Sequence, residues 1–136
     1  MLFKNFIELK RGFDLPSQHR FSGKFPIISS NGIAGTHAEF KCKAPGIITG
    51  RSGTIGNVFY SNIDYWPLNT TLFVKDYKGN IPKYVYYRLQ VFNLKDFATG
   101  TSVPTLNRNF LDDVEIKVHN YSMQQHIVNT RRKLAC

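Results

Sequence analysis

Residues 25–74 read FPIISSNGIAGTHAEFKCKAPGIITGRSGTIGNVFYSNIDYWPLNTTLFV. Five apolar runs stand out: FPIIS, HAEF, GIIT, NVFY and TLFV, each four or five residues long. Runs of that length suit strands and are too short for helices. Between them lie SNGIAG, KAPG, GRSGTIG, SNIDYWP and NTT. These are rich in Gly, Pro, Asn and Ser, which supply the backbone angles and local hydrogen bonds of turns. Short β segments joined by turns, with no helical pattern between them, predict a twisted, barrel-like sheet rather than βαβ units.

Helical spacing appears on either side. Leu2, Phe6 and Leu9 fall at i, i+4, i+7, with Phe3 and Ile7 beside them, so residues 2–11 are expected to be helical and to stop at Gly12. FDLPSQHRFSGK then reads as a polar loop. Downstream, Asn80 is placed to cap a helix with Pro82 in its first turn and Val85, Leu89 and Phe92 as its stripe. FATGTSVPTL (97–106) returns to loop. Asn107 or Asn109 is expected to cap one turn carrying Phe110 and Leu111, and VEIKV (114–118) alternates like a strand. In the tail, Ser122 and Gln125 match a capping box, and Met123, Ile127 and Leu134 share a face that suits a partner. The expected fold is α+β: a sheet of short strands with N-terminal, mid-chain and C-terminal helices. Residues 1–120 form one domain, and 121–136 begin a helix that leaves it.

The bulk numbers narrow the function. The 136 residues suit one core, and 42% are hydrophobic. No apolar stretch approaches the roughly 20 residues needed to cross a bilayer. MLFKNFIELKRGF lacks the pattern of a secretory signal, so a cytoplasmic protein without membrane attachment is expected. Cys42 and Cys136 belong to no CxxC or Cys/His cluster, which gives a disulfide framework or structural zinc no footing. Net charge is +9, and residues 1–60 carry eight Lys/Arg against three Asp/Glu. That excess favours a polyanionic partner, because each cation set against a phosphate releases counterions.

Enzyme motifs fit poorly. GRSGTIG has neither the GxxxxGK[ST] order of a phosphate-binding loop nor the GxGxxG of a dinucleotide site. No GxSxG or HExxH is present, and no cofactor site is expected. DDVEIK offers Glu115 and Lys117 in the acid-then-ExK order of Mg²⁺ nucleases, with Asp96 as the obvious upstream acid. A solvated strand alternates charge in the same way, so this stays an alternative. Binding fits better. Gly50, Gly53 and Gly56 let a loop approach another surface closely, with Arg51, Ser52 and Thr54 as donors; they equally serve tight turns. SSNGIAGT presents Ser29, Ser30 and Asn31, expected to be exposed. ATGTSVPTLNR adds Thr99, Thr101, Ser102 and Arg108. His19, Arg20 and Lys24 lie in the basic loop before the first strand. Arginine can form a bidentate fork on guanine, and Ser or Thr serves base or phosphate.

Taken in order, ELKRG, KFPIISSNGIAGTHAEF, PGIITGRSGTIGNVFY, WPLNTTLFV, the YVYYRL helix and TGTSVPTLNRNFLDDVEIKV resemble a target recognition domain. The family is the DNA-specificity subunit of type I restriction–modification enzymes, and the likeness runs from about residue 6 to 128. It implies a reader of double-stranded DNA and not a catalyst. It also implies separate partners: modification subunits that use S-adenosylmethionine to methylate adenine, and a restriction subunit that cleaves. Such subunits carry two recognition domains, each reading half of a split site, spaced by long helices. This chain holds one domain and a short stretch of spacer helix, consistent with a half-subunit that forms a homodimer, a truncated product or an excised domain. A regulatory fragment that binds the partner subunits with little DNA affinity is a further alternative. Recognition loops differ with target, so the likeness leaves open whether Arg51 touches phosphate or braces its loop.

Overall fold

The computed structural model describes residues 1–100 and 102–135, with side chains through Arg132. In chain order the elements are α1 (Phe3–Phe6), β1 (Glu8–Arg11), a 3₁₀ turn (Ser17–His19), β2 (Phe25–Ser29) and β3 (Gly32–His37). β4 (Gly46–Gly50), β5 (Val58–Ser61), β6 (Trp66–Pro67) and β7 (Thr71–Asp76) follow. Then come α2 (Pro82–Val91), a second 3₁₀ turn (Leu94–Phe97), α3 (Arg108–Leu111) and α4 (Tyr121–Ala135). No helix of the described residues is long and apolar enough to cross a membrane.

The fold is α+β, with two open sheets where one barrel-like sheet was expected. One has the order β1-β7-β4-β5, and the other β3-β2-β6. Alternation along β4 and β7 explains the layering. Ile47, Leu72 and Val74 point into the main core with Phe3, Phe6, Val85 and Leu89, whereas Ile48 and Phe73 pack the other way against Ile28 and Tyr65. The four-stranded sheet thus has helices on one face and the smaller sheet on the other. All five residues of β4 are buried, which is why GIITG reads as a continuous apolar run. A third cluster, Leu15, Ile27, Trp66 and Leu68, closes the far side of the small sheet. Each fully buried Ile, Leu or Phe contributes about 1.5–3 kcal/mol.

Five local expectations need correction. The helix expected over residues 2–11 is one turn, α1, after which β1 pairs antiparallel with β7, Leu9 opposite Val74 and Arg11 opposite Leu72. The ladder to β7 outweighs the helical spacing, because pairing and packing context decide over local pattern. The strand expected at HAEF lies earlier: GIAGTH pairs with β2, and SNGIAG belongs to the hairpin rather than to a loop. VEIKV is not a strand; Glu115 makes a single bridge to Leu2, and the segment is anchored by Phe3 N–H on Val114 C=O at 2.8 Å. Finally, Asn120 caps α4 through Met123 N–H at 2.9 Å, in place of the Ser122 box. Asn80 likewise is no cap: its amide donates to Phe6 C=O at 2.7 Å, tying α1 to the start of α2.

Candidate nucleic-acid interface

Three turns expected to carry recognition meet on one face. The β2–β3 tip, the turn after β4 and the segment before α3 are stitched together by backbone and side-chain hydrogen bonds. Arg51 N–H donates to Thr70 C=O at 2.8 Å, Gly53 N–H to Pro104 C=O at 3.0 Å, and Leu106 N–H to Arg51 C=O at 2.7 Å. Ser30 N–H reaches Thr70 Oγ1 at 3.3 Å, and the Thr54 hydroxyl donates to Asn31 Oδ1. The 50–56 turn therefore sits between the other two. Ile55 and Leu106 are buried beneath it as plugs, so the turns are fixed by core packing as well as by hydrogen bonds.

The glycines explain how the turn closes. At Gly50 a Cβ would lie 1.8 Å from Thr54 C=O, a backbone atom that cannot move aside. Gly53 and Gly56 have φ of +93° and +107°, angles that L side chains rarely adopt. The triplet shapes the loop.

The individual residues divide into engaged and exposed. Ser30, expected to be exposed, is buried at 4% accessibility against the Gly50 turn, because its backbone is held by Thr70. The Ser29 hydroxyl donates to Gly32 C=O at 2.9 Å and shapes the tip. Ser52 is half-buried and its backbone bridges Thr105. Asn31, Thr99, Ser102 and Arg108 are exposed, and Thr54 is partly so. Thr101 lies outside the described residues. His19, Arg20 and Lys24 belong to the long β1–β2 connection. Arg20 Nε donates to Leu15 C=O at 3.1 Å and Lys24 lies over Phe25.

Arg51 both braces and faces a cleft. Its Nε donates to Asn69 C=O at 2.8 Å, yet the residue lines a cleft of about 210 Å³ with Arg11, Arg108 and Asn107. Burial lowers its pKa from the ordinary value, the charge of Arg11 adds to that, and Asp14 opposes it. The guanidinium stays charged at neutral pH. Arg11 is the basic residue that sequence reading missed; the ELKRG run held it, but only pairing of β1 with β7 brings it beside Arg51.

The tail expectation also changes. On α4 the buried residues are Gln124 and Val128, while Met123 is 44% exposed and Ile127 half-buried against the body. Met123 is thus open and Ile127 is shared with the body, and the Leu134 side chain lies outside the described residues. The nuclease alternative does not assemble. Glu115 is exposed and pairs with the N-terminal amine at 3.3 Å, Asp96 sits on the second 3₁₀ turn, and no three acids, His or Cys converge among the described residues.

Comparison with known proteins agrees with this geometry. The family model described as the type I restriction modification DNA specificity domain matches residues 3–133. No curated protein sequence matches. Among solved structures, the S subunit of a type I restriction–modification system from M. genitalium superposes with a TM-score of 0.83 at 20% identity, over 96% of this chain and 37% of that one. The HsdS subunit from Thermoanaerobacter tengcongensis gives 0.72 at 11% identity, over 99% of this chain and 36% of that one. A chain from a study of type I complex assembly and conformational transition gives 0.74 at 12%, covering 99% and 37%. The protein spans little more than a third of the length of these relatives.

Proposed function

Because this chain belongs to the type I restriction–modification DNA specificity domain family, we propose that its three joined turns read one half of a split double-stranded DNA site. A specificity domain selects the site and performs no chemistry on it. The modification and restriction subunits of such a system are the partners proposed for it. The observation that carries this reading is the convergence of the 29–32, 50–56 and 102–108 segments, beside a cleft lined by three arginines. Rigid turns bearing Asn31, Thr54, Thr99, Ser102 and Arg108 can meet base edges, and the arginines supply the phosphate attraction on which affinity depends. The proposed division of the chain is a recognition body, 1–120, followed by a helix that carries the connection onward.

Selection from a randomised duplex library at low salt, followed by sequencing of the bound pool, tests this. Enrichment of a motif of a few base pairs is the expected result. A mirrored, spaced motif would add a homodimer. Binding without enrichment would reject sequence reading by this domain alone, and capture of a modification subunit without DNA affinity would support the regulatory-fragment reading.

A further inference from the structure

Arg11, Arg51 and Arg108 come from the end of β1, the turn after β4 and the start of α3, yet they line one cleft. Gathering like charges is unfavourable unless something offsets it. Nothing does so at contact range among the described residues: the ion pairs Met1–Glu115, Lys4–Asp113 and Lys75–Glu8 involve none of the three. Asp14 acts on Arg51 only over a longer range. Two of the three guanidiniums are nevertheless fixed. Arg51 Nε donates to Asn69 C=O at 2.8 Å, and Arg108 Nη1 to Leu9 C=O at 2.9 Å. Each bond uses one corner of a fork and leaves its other N–H groups open. Arg11 makes no hydrogen bond through its side chain among the described residues. Two aimed forks and a third cation, held without an anion, are preorganised for one.

We infer that this cleft seats one phosphodiester group of the DNA backbone, with Arg51 and Arg108 as fixed donors and Arg11 as the charge that completes the seat. This rests on the reading of the adjoining turns as the DNA-contacting face. Arginine forks match the oxygens of a phosphate better than a point charge does. The seat lies directly under the turns: Leu106, which lines it, is bonded to the Arg51 backbone at 2.7 Å. An anchored phosphate would therefore fix the register of the turns over neighbouring bases. Phosphate contacts position a protein and carry no sequence information themselves.

Arg11→Gln is the clean variant, since no internal hydrogen bond is lost. Its duplex affinity should fall about 10-fold, in the range of one charge-assisted contact. The slope of log K against log salt should shrink by about 0.9, the value for one phosphate. The enriched motif should stay the same. Lys117→Gln removes equal charge beside α2 and should change little. Arginine Nε–H resonances of Arg51 and Arg108 should shift on adding a short duplex and much less with inorganic phosphate. Specific binding that Arg11→Gln leaves no weaker than Lys117→Gln does would overturn the seat while sparing the reading of the turns. Saturation by inorganic phosphate with no response to duplex would make it a free-anion site and overturn the phosphodiester assignment. Absence of any duplex binding, with silent arginines, would overturn both.

Discussion

Tyr65 fills the space that Gly46 leaves empty; a Cβ at Gly46 would lie 2.1 Å from its ring. Its phenol is buried beside the Cys42 thiol, and burial pushes both groups above their ordinary pKa values. Burial likewise raises Tyr77 to about 12. The sign follows from linkage. The unfolded chain releases these protons at lower pH than the folded one, so their stabilisation is complete below the unfolded values, 9.0 for Cys42 and 10.0 for the tyrosines. It is lost as pH rises through them towards 12. Urea unfolding should show stability that is level from pH 7 to about 8.5 and falls as pH rises from 9 to 10.5. Cys42→Ala should flatten the onset above pH 9, and an unchanged slope in that variant would reject the account. At this scale the sequence was informative where apolar spacing decides: Val85 and Leu89 were legible as the stripe of α2, and both are buried. It misled at Ser30, whose small polar side chain gives no hint that Thr70, 40 positions away, holds its backbone.

The helix α4 shows what holds an element whose surface is mostly polar. Gln124 is 2% exposed and acts as its anchor. Its amide nitrogen donates to Asn80 Oδ1 and His119 C=O, both at 2.8 Å, and its oxygen accepts from Ile81 N–H at 3.0 Å. The same glutamine thus satisfies an orphan donor at the start of α2, where no side-chain cap exists. Gln124→Ala leaves Ile81 N–H and Asn80 Oδ1 without these partners and should cost about 1–3 kcal/mol. Hydrogen exchange should quicken along α4 and in the first turn of α2, while the β4 amides stay protected. Uniform loss of protection would mean instead that α4 is integral to global folding. Residues 121–135 were legible as a helix, but their inward face was not: apolar spacing drew attention to Met123, and a buried glutamine has no periodic signature. The strand errors have the same origin. β3 is exposed at four of its six positions, so it lacks the period-2 pattern by which strands are recognised. β4, β5 and β7, whose apolar residues pack on the core, were read close to their true bounds.

At the scale of the molecule, the charge of +9 leaves a large basic excess for a polyanion. The three joined turns belong to a body that spans 37% of the M. genitalium relative. A chain of that relative's length has room for two such bodies, and the proposed half-site reading follows that proportion. One body supplies half the contacts, so its affinity for a single half site is expected to be modest. Joining two copies through a helical spacer makes the second binding event intramolecular, and avidity then exceeds single-copy affinity by about 10² or more when spacing matches. Fluorescence anisotropy on duplexes carrying two copies of the selected motif at stepped separations measures this. A sharp optimum is expected, repeating with the helical turn of the duplex, because a stiff connector tolerates little error in rotation about the DNA axis. Affinity that is flat with separation would mean the copies bind independently, and the idea of a split site read by paired bodies would fall, leaving each body a reader of its own short motif.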